Sequence, residues 1–156
     1  MAINVLGVVG AGQMGAGIAQ VAAACGLSVV MNDIKEEFVE RGFSTIEKSL
    51  GRLVKKEKIT EVDQQSILGR IEASTALEDM IRADYVVEAA TENEALKLKI
   101  FKDLDGYCKA EAILSSNTSS ISITKIAAAT NRPEKVIGMH FMNPVPMMKL
   151  VEIING

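Results

Sequence analysis

Residues 5–20 read VLGVVGAGQMGAGIAQ, an apolar run that turns at Gly10-Ala11-Gly12-Gln13-Met14-Gly15 into a helical pattern. The run from Ile3 to Val9 predicts a buried strand. Met14, Ile18, Val21, Ala22 and Cys25 then recur at three- to four-residue steps, as one helix face requires, and Gly26 is placed to stop that helix. Between them lies a GxGxxG. Gly10 permits the tight turn, Gly12 has no Cβ to block a phosphate, and Gly15 lets helix and strand pack closely. A helix N-terminus also offers free N–H groups and a positive dipole end, so Gly10, Gly12, Gln13, Met14 and Gly15 are candidates for holding a pyrophosphate. A second strand, Leu27 to Met31, ends at Asn32-Asp33, where an acid accepts both ribose hydroxyls of a dinucleotide. Its charge opposes a 2′-phosphate and no Arg stands beside it, which predicts NAD rather than NADP. Read alone, the glycines are also a plain turn and Asp33 a solvated acid at a strand end.

Outward from this turn, short β-branched runs alternate with helical patterns to the end of the chain, the sequence form of an α/β fold with a doubly wound, mainly parallel sheet. Strands are predicted at about 71–74, 84–90, 112–116, 136–142 and 148–154, with a helix carried by Leu96, Ile100, Phe101 and Leu104. From Lys35 to Lys58 a long helix shows Phe43, Ile46, Leu50, Leu53 and Val54 on one side. A second opens at Thr60 as N-cap and stops at Gly69, so the two form a helical-hairpin insertion.

The whole chain, 1–156, reads as one domain, and at this length roughly 68–70% of the unfolded surface is buried without a metal or disulfide staple. A net charge of −3, no Trp and 4% aromatics give no footing for nucleic acid. The N-terminal apolar run is short and broken by glycines, which reads as neither a secretion signal nor a membrane span. Cys25 and Cys108 have neither CxxC spacing nor a nearby His. A reducing, cytoplasmic setting and no metal site are expected.

In the second half, Ser115-Ser116-Asn117-Thr118-Ser119-Ser120 follows an apolar strand, a cluster that also suits plain helix capping. His140 is the only histidine, and a lone His in an apolar strand is ordinarily a hydrogen-bonded core residue. Its neighbours alter the reading. Asn143-Pro144-Val145-Pro146 is a non-helical link, and Lys149 to Ile154 alternates as a strand. Folded back antiparallel about residue 146, His140 faces Glu152 on one side of the sheet, so a carboxylate orients one imidazole nitrogen while the other accepts a proton. A slip of one residue would separate them.

These stretches resemble the N-terminal domain of the 3-hydroxyacyl-CoA dehydrogenase family, in particular its bacterial 3-hydroxybutyryl-CoA dehydrogenases. The match runs through VVGAGQMGAGIAQ at 8–20, YVVEAATEN at 85–93, SSNTSS at 115–120 and GMHFMNPVPMMKLVEII at 138–154. The resemblance implies that His140 is the general base, Glu152 its orienting partner, and Ser119 a hydroxyl contacting substrate and cofactor. It places Asn143 near the nicotinamide, Glu92 and Lys97 on NAD, and Ser49 and Lys56 on coenzyme A, where Lys55, Lys56 and Lys58 otherwise read as a solvated face. Family members continue into a helical domain that completes the acyl pocket and forms the dimer. The chain stops at Gly156, before it, as an excised domain or a short protein.

The expected activity is NAD-dependent, reversible oxidation of (3S)-3-hydroxyacyl-CoA to 3-oxoacyl-CoA, with no metal and an acyl-CoA as partner. The rival readings are a dinucleotide-binding module without turnover and a dehydrogenase of free hydroxy acids.

Overall fold

Val5–Val9 (β1) is buried from Leu6 onward, as a strand covered on both faces must be, and the sheet grows from it in both directions. The computed structural model describes residues 2–156. On one side β1 pairs with Ser28–Asn32 (β2), which pairs with Ile71–Ser74 (β3). On the other come Tyr85–Glu88 (β4), Ile113–Ser116 (β5) and Val136–Phe141 (β6), all parallel. Val151–Asn155 (β7) closes antiparallel to β6, for the order β3-β2-β1-β4-β5-β6-β7. The doubly wound, mainly parallel sheet expected from the alternation is present, with its antiparallel last strand.

Helices cover both faces. Gln13–Ala24 (α1), Glu36–Lys55 (α2) and Glu61–Gly69 (α3) pack Ile18, Ile46, Leu50 and Ile67 with Leu6, Val8 and Met31. Glu94–Tyr107 (α4) and Ile123–Ala128 (α5) pack Phe101, Leu104 and Ile126 with Val9, Val86 and Leu114 on the other. Each large side chain buried in this way contributes about 2 kcal/mol. The Arg132 guanidinium closes the end of α4, meeting the Asp105 carboxylate at 2.6 Å and the carbonyls of Asp105, Cys108 and Lys109.

The helical hairpin is the β2–β3 crossover. Thr60 and Asp63 form a reciprocal capping box at 2.9 and 3.0 Å, where the sequence put the cap, and α3 ends at Gly69 as expected. Several boundaries differ from the sequence reading. α2 ends at Lys55, before Lys58, because Glu57 takes φ 56° and breaks the ladder. β1 begins at Val5 and not Ile3, since the Asn4 and Val5 N–H groups donate to the Asp84 carboxylate. β7 begins at Val151 because the link after His140 contains a short 3-10 turn, Val145–Met147. A 3-10 turn at Leu77–Arg82 and the short α5 carry too few residues for a periodicity to register.

Candidate functional site

Six parallel strands end at one edge of the sheet, where ligands of such folds bind. That edge gathers Gly10, Asp33, Glu88, Ser116 and His140, and β7, running the other way, enters it with Glu152. At the β1–α1 turn Gly10 takes φ +107°, and a Cβ there would stand 2.6 Å from the Ala89 carbonyl oxygen. A Cβ on Gly15 would run into the Gly10 carbonyl oxygen. Gly12 differs: it is exposed, and a Cβ would meet nothing within 4 Å, so the space above it is open to a ligand. No side chain caps α1, which leaves the N–H end at Gln13 and Met14 for an anion. These features fit a pyrophosphate.

Asp33 is half-buried at the mouth of an adjoining cavity of about 430 Å³, lined by Gly12, Ile34, Ala90, Leu96 and Ile100 among others. Its Oδ2 accepts the Ala11 N–H at 2.8 Å and its Oδ1 the Ile34 N–H at 2.7 Å. One carboxylate therefore holds the glycine turn in shape and lines the cavity, whose mostly apolar walls suit an adenine ring. A second cavity of about 570 Å³, between α2 and β3, contains none of the candidate residues.

A buried ionic cluster lies between β4, α4 and β5. Lys97 Nζ is 2.6 Å from Glu88 Oε2, with both side chains essentially inaccessible. The Glu88 carboxylate also accepts the Ala90 N–H and the Ser116 hydroxyl, each at 2.7 Å. Lys97 thus does not present its ammonium to the surface; a charge at that depth demands a partner, and Glu88 supplies it. Glu92 is half exposed, 3.5 Å from Lys97, and its Oε2 accepts the Thr118 and Ser120 hydroxyls at 2.7 and 2.6 Å. Burial pushes the Glu92 carboxyl up, but those hydroxyls and the Lys97 charge outweigh it and hold it below its usual range.

The predicted register of the last hairpin is present: His140 pairs with Glu152. Their side chains approach to 3.8 Å, Nδ1 to Oε2, an ion-pair distance when the ring is protonated and longer than a hydrogen bond. His140 is 25% exposed, so a substrate can reach it. Asn117 fixes the strand beside it by accepting the Phe141 N–H at 2.8 Å. Ser119 and Asn143 are exposed on the loops after β5 and β6. The serine cluster does not cap α5; Ser122, just beyond it, does.

Ser49 and Lys56 stand apart from this cluster. Ser49 lies about 20 Å along α2 from the edge where it starts, and Lys56 caps the far end of that helix, about 30 Å along. Sequence reasoning missed Glu88, Ser116, Asn117 and Thr118 as organisers of the edge. The available signal was an acid closing the apolar strand Tyr85–Glu88, with Lys97 on the next helix.

Residues 5–156 match the family model described as the 3-hydroxyacyl-CoA dehydrogenase NAD binding domain. The chain is 56% identical over 150 residues to a probable 3-hydroxybutyryl-CoA dehydrogenase of Deinococcus radiodurans, covering 96% of this chain and 54% of that protein. A Bacillus subtilis protein of the same name is 53% identical over 156 residues, again with 54% of its length covered. The crystal structure of (S)-3-hydroxybutyryl-CoA dehydrogenase from Ralstonia eutropha superposes with a TM-score of 0.98 at 55% identity, over 99% of this chain and 55% of that one. The chain spans about half the length of these relatives. With the glycine turn, Asp33 and the sheet edge in place, it belongs to the NAD-binding domain family of the 3-hydroxyacyl-CoA dehydrogenases.

Proposed function

We propose that this domain supplies the cofactor site and the proton-transfer pair of an enzyme interconverting (3S)-3-hydroxyacyl-CoA, such as 3-hydroxybutyryl-CoA, and 3-oxoacyl-CoA. Bound NAD supplies the hydride acceptor. His140 is the general base: Nε2 takes the 3-hydroxyl proton while Glu152, facing Nδ1, orients the ring and balances the imidazolium. In the reductive direction the imidazolium returns the proton, so one residue serves both. Ser119 and Asn143, exposed at the same edge, position the reacting groups. Ser49 on α2 and Lys56 at its C-cap bind coenzyme A, Lys56 by charge. Exposed Met147, Met148, Leu150, Ile153 and Ile154 meet the C-terminal half that the relatives carry, which completes the acyl pocket and the dimer. Cys25 and Cys108 are both free, which suits a reducing cytoplasm. Among the described residues no helix is long and apolar enough to cross a membrane.

The observation that supports this reading most is the β6–β7 register, which sets a histidine against a carboxylate at the edge that also carries the phosphate turn. Absorbance of NADH with acetoacetyl-CoA, against acetoacetate, tests it. NADH oxidation with the thioester alone, and calorimetric binding of free coenzyme A, are expected. Equal rates with the free acid and no coenzyme A binding would favour a hydroxy-acid dehydrogenase, and no turnover with the C-terminal half supplied would favour a binding module.

A further inference from the structure

A carboxylate and an ammonium taken wholly out of water cost several kcal/mol each to desolvate, and an apolar pair of similar volume commonly serves stability as well or better. The Glu88–Lys97 pair therefore invites a reason beyond holding α4 to the sheet. Its bonds supply one. Glu88 Oε2 takes Lys97 from α4 and the Ala90 N–H from the loop after β4, while Oε1 takes the Ser116 hydroxyl from β5. Ser116 Oγ in turn accepts the Thr118 N–H at 3.2 Å, and the Glu88 carbonyl oxygen accepts the Asn117 N–H at 2.8 Å. From the far side, Lys97 steadies Glu92 at 3.5 Å, and Glu92 holds Thr118 and Ser120. A closed circuit thus joins the loop 89–93 to the loop 117–120, on either side of exposed Ser119. It lies at the carboxyl end of β4, beside β1, where the sheet order reverses. Among the described residues no buried side-chain polar atom lacks a partner, so the circuit is fully satisfied as it stands.

We propose that Glu88 is a positioning residue for the cofactor: inaccessible itself, it fixes through Lys97 and Ser116 the two loops that border the open side of the NAD site. The inference rests on the NAD-binding assignment of the domain. Glu88 touches no ligand; its effect reaches the site through the placement of Glu92, Thr118 and Ser119.

The test separates placement from stability. Glu88→Leu/Lys97→Met replaces the pair with apolar side chains of similar volume, and Ser116→Ala removes only one hydroxyl. Both are titrated calorimetrically with NADH, well below their melting temperatures, beside the unaltered chain. The double variant is expected to melt below the parent, because it leaves the Ala90 N–H and the Ser116 hydroxyl without their acceptor, yet to stay folded at the titration temperature and to bind NADH about tenfold more weakly. Ser116→Ala is expected to weaken binding in the same direction, and decides the matter if the double variant does not fold. A folded double variant, or Ser116→Ala, that binds NADH as the parent does would overturn the role assigned to Glu88. An unaltered chain that fails to bind NADH would overturn the cofactor assignment, and this inference with it.

Discussion

Asp33 joins a turn and a cavity through one side chain. Its two oxygens accept the Ala11 and Ile34 N–H groups, so the acid that lines the cavity beside the glycine turn also holds that turn in shape. A 2′-phosphate would meet like charge there. NADH is expected to bind at least about tenfold more tightly than NADPH, measured by calorimetric titration with both; equal affinities would remove Asp33 from this role. At this scale His140 and Glu152 were legible because an antiparallel ladder has fixed arithmetic once its turn is located. Glu88 was not. An acid at a strand end is normally solvated, and only packing of α4 over β4 and β5 reveals that this one is buried and paired.

Elements carry the site by their junctions. The turn after β6 docks on α1 through Val145, which is buried against Gly17, and a Cβ at Gly17 would stand 2.8 Å from that of Val145. The helix that follows the glycine turn thereby also fixes the hairpin bearing His140. Gly17→Val is expected to cost about 1–3 kcal/mol in chemical denaturation, as overpacking does, and to lower turnover more than NADH affinity. At the opposite edge, Asp84 joins the start of β1 to the end of α4. The Lys109 ammonium at 2.9 Å, then the Asn4 and Val5 N–H groups, hold its carboxyl at about 2, below the usual 3.8. A depressed carboxyl stabilises the fold fully above its unfolded value and loses that contribution as the pH falls through the folded one. The stability deficit of Asp84→Asn should therefore be full at pH 7 and shrink between pH 4 and 2, as urea melts would show; a deficit independent of pH would contradict it. The hairpin, its Thr60 cap and the first βαβ unit were legible at this level because each carries a long period or a cap residue. The 3-10 turn at Leu77–Arg82 and α5 were not, for they are shorter than two helical turns and are set by the strands they join.

At the scale of the molecule, the doubly wound sheet has an apolar core on each face, so the domain is expected to fold by itself. The acyl site is different. The relatives are about twice as long, and the exposed methionine, leucine and isoleucine residues from 147 to 154 lie beside the proposed proton-transfer pair. The isolated chain is expected to bind NADH but to reduce acetoacetyl-CoA at least about a hundredfold more slowly than a two-domain relative, since the reacting carbon lacks a wall to hold it. Comparable rates would mean that the acyl site is built within these residues. Whether His140 moves the proton is decided by His140→Gln in a form carrying the C-terminal half, assayed for acetoacetyl-CoA-dependent NADH oxidation and titrated with NADH. Turnover should fall by about 10²-fold or more while NADH affinity stays near the parent's; a variant that keeps most of its turnover would show that His140 is a packed strand residue and not the base.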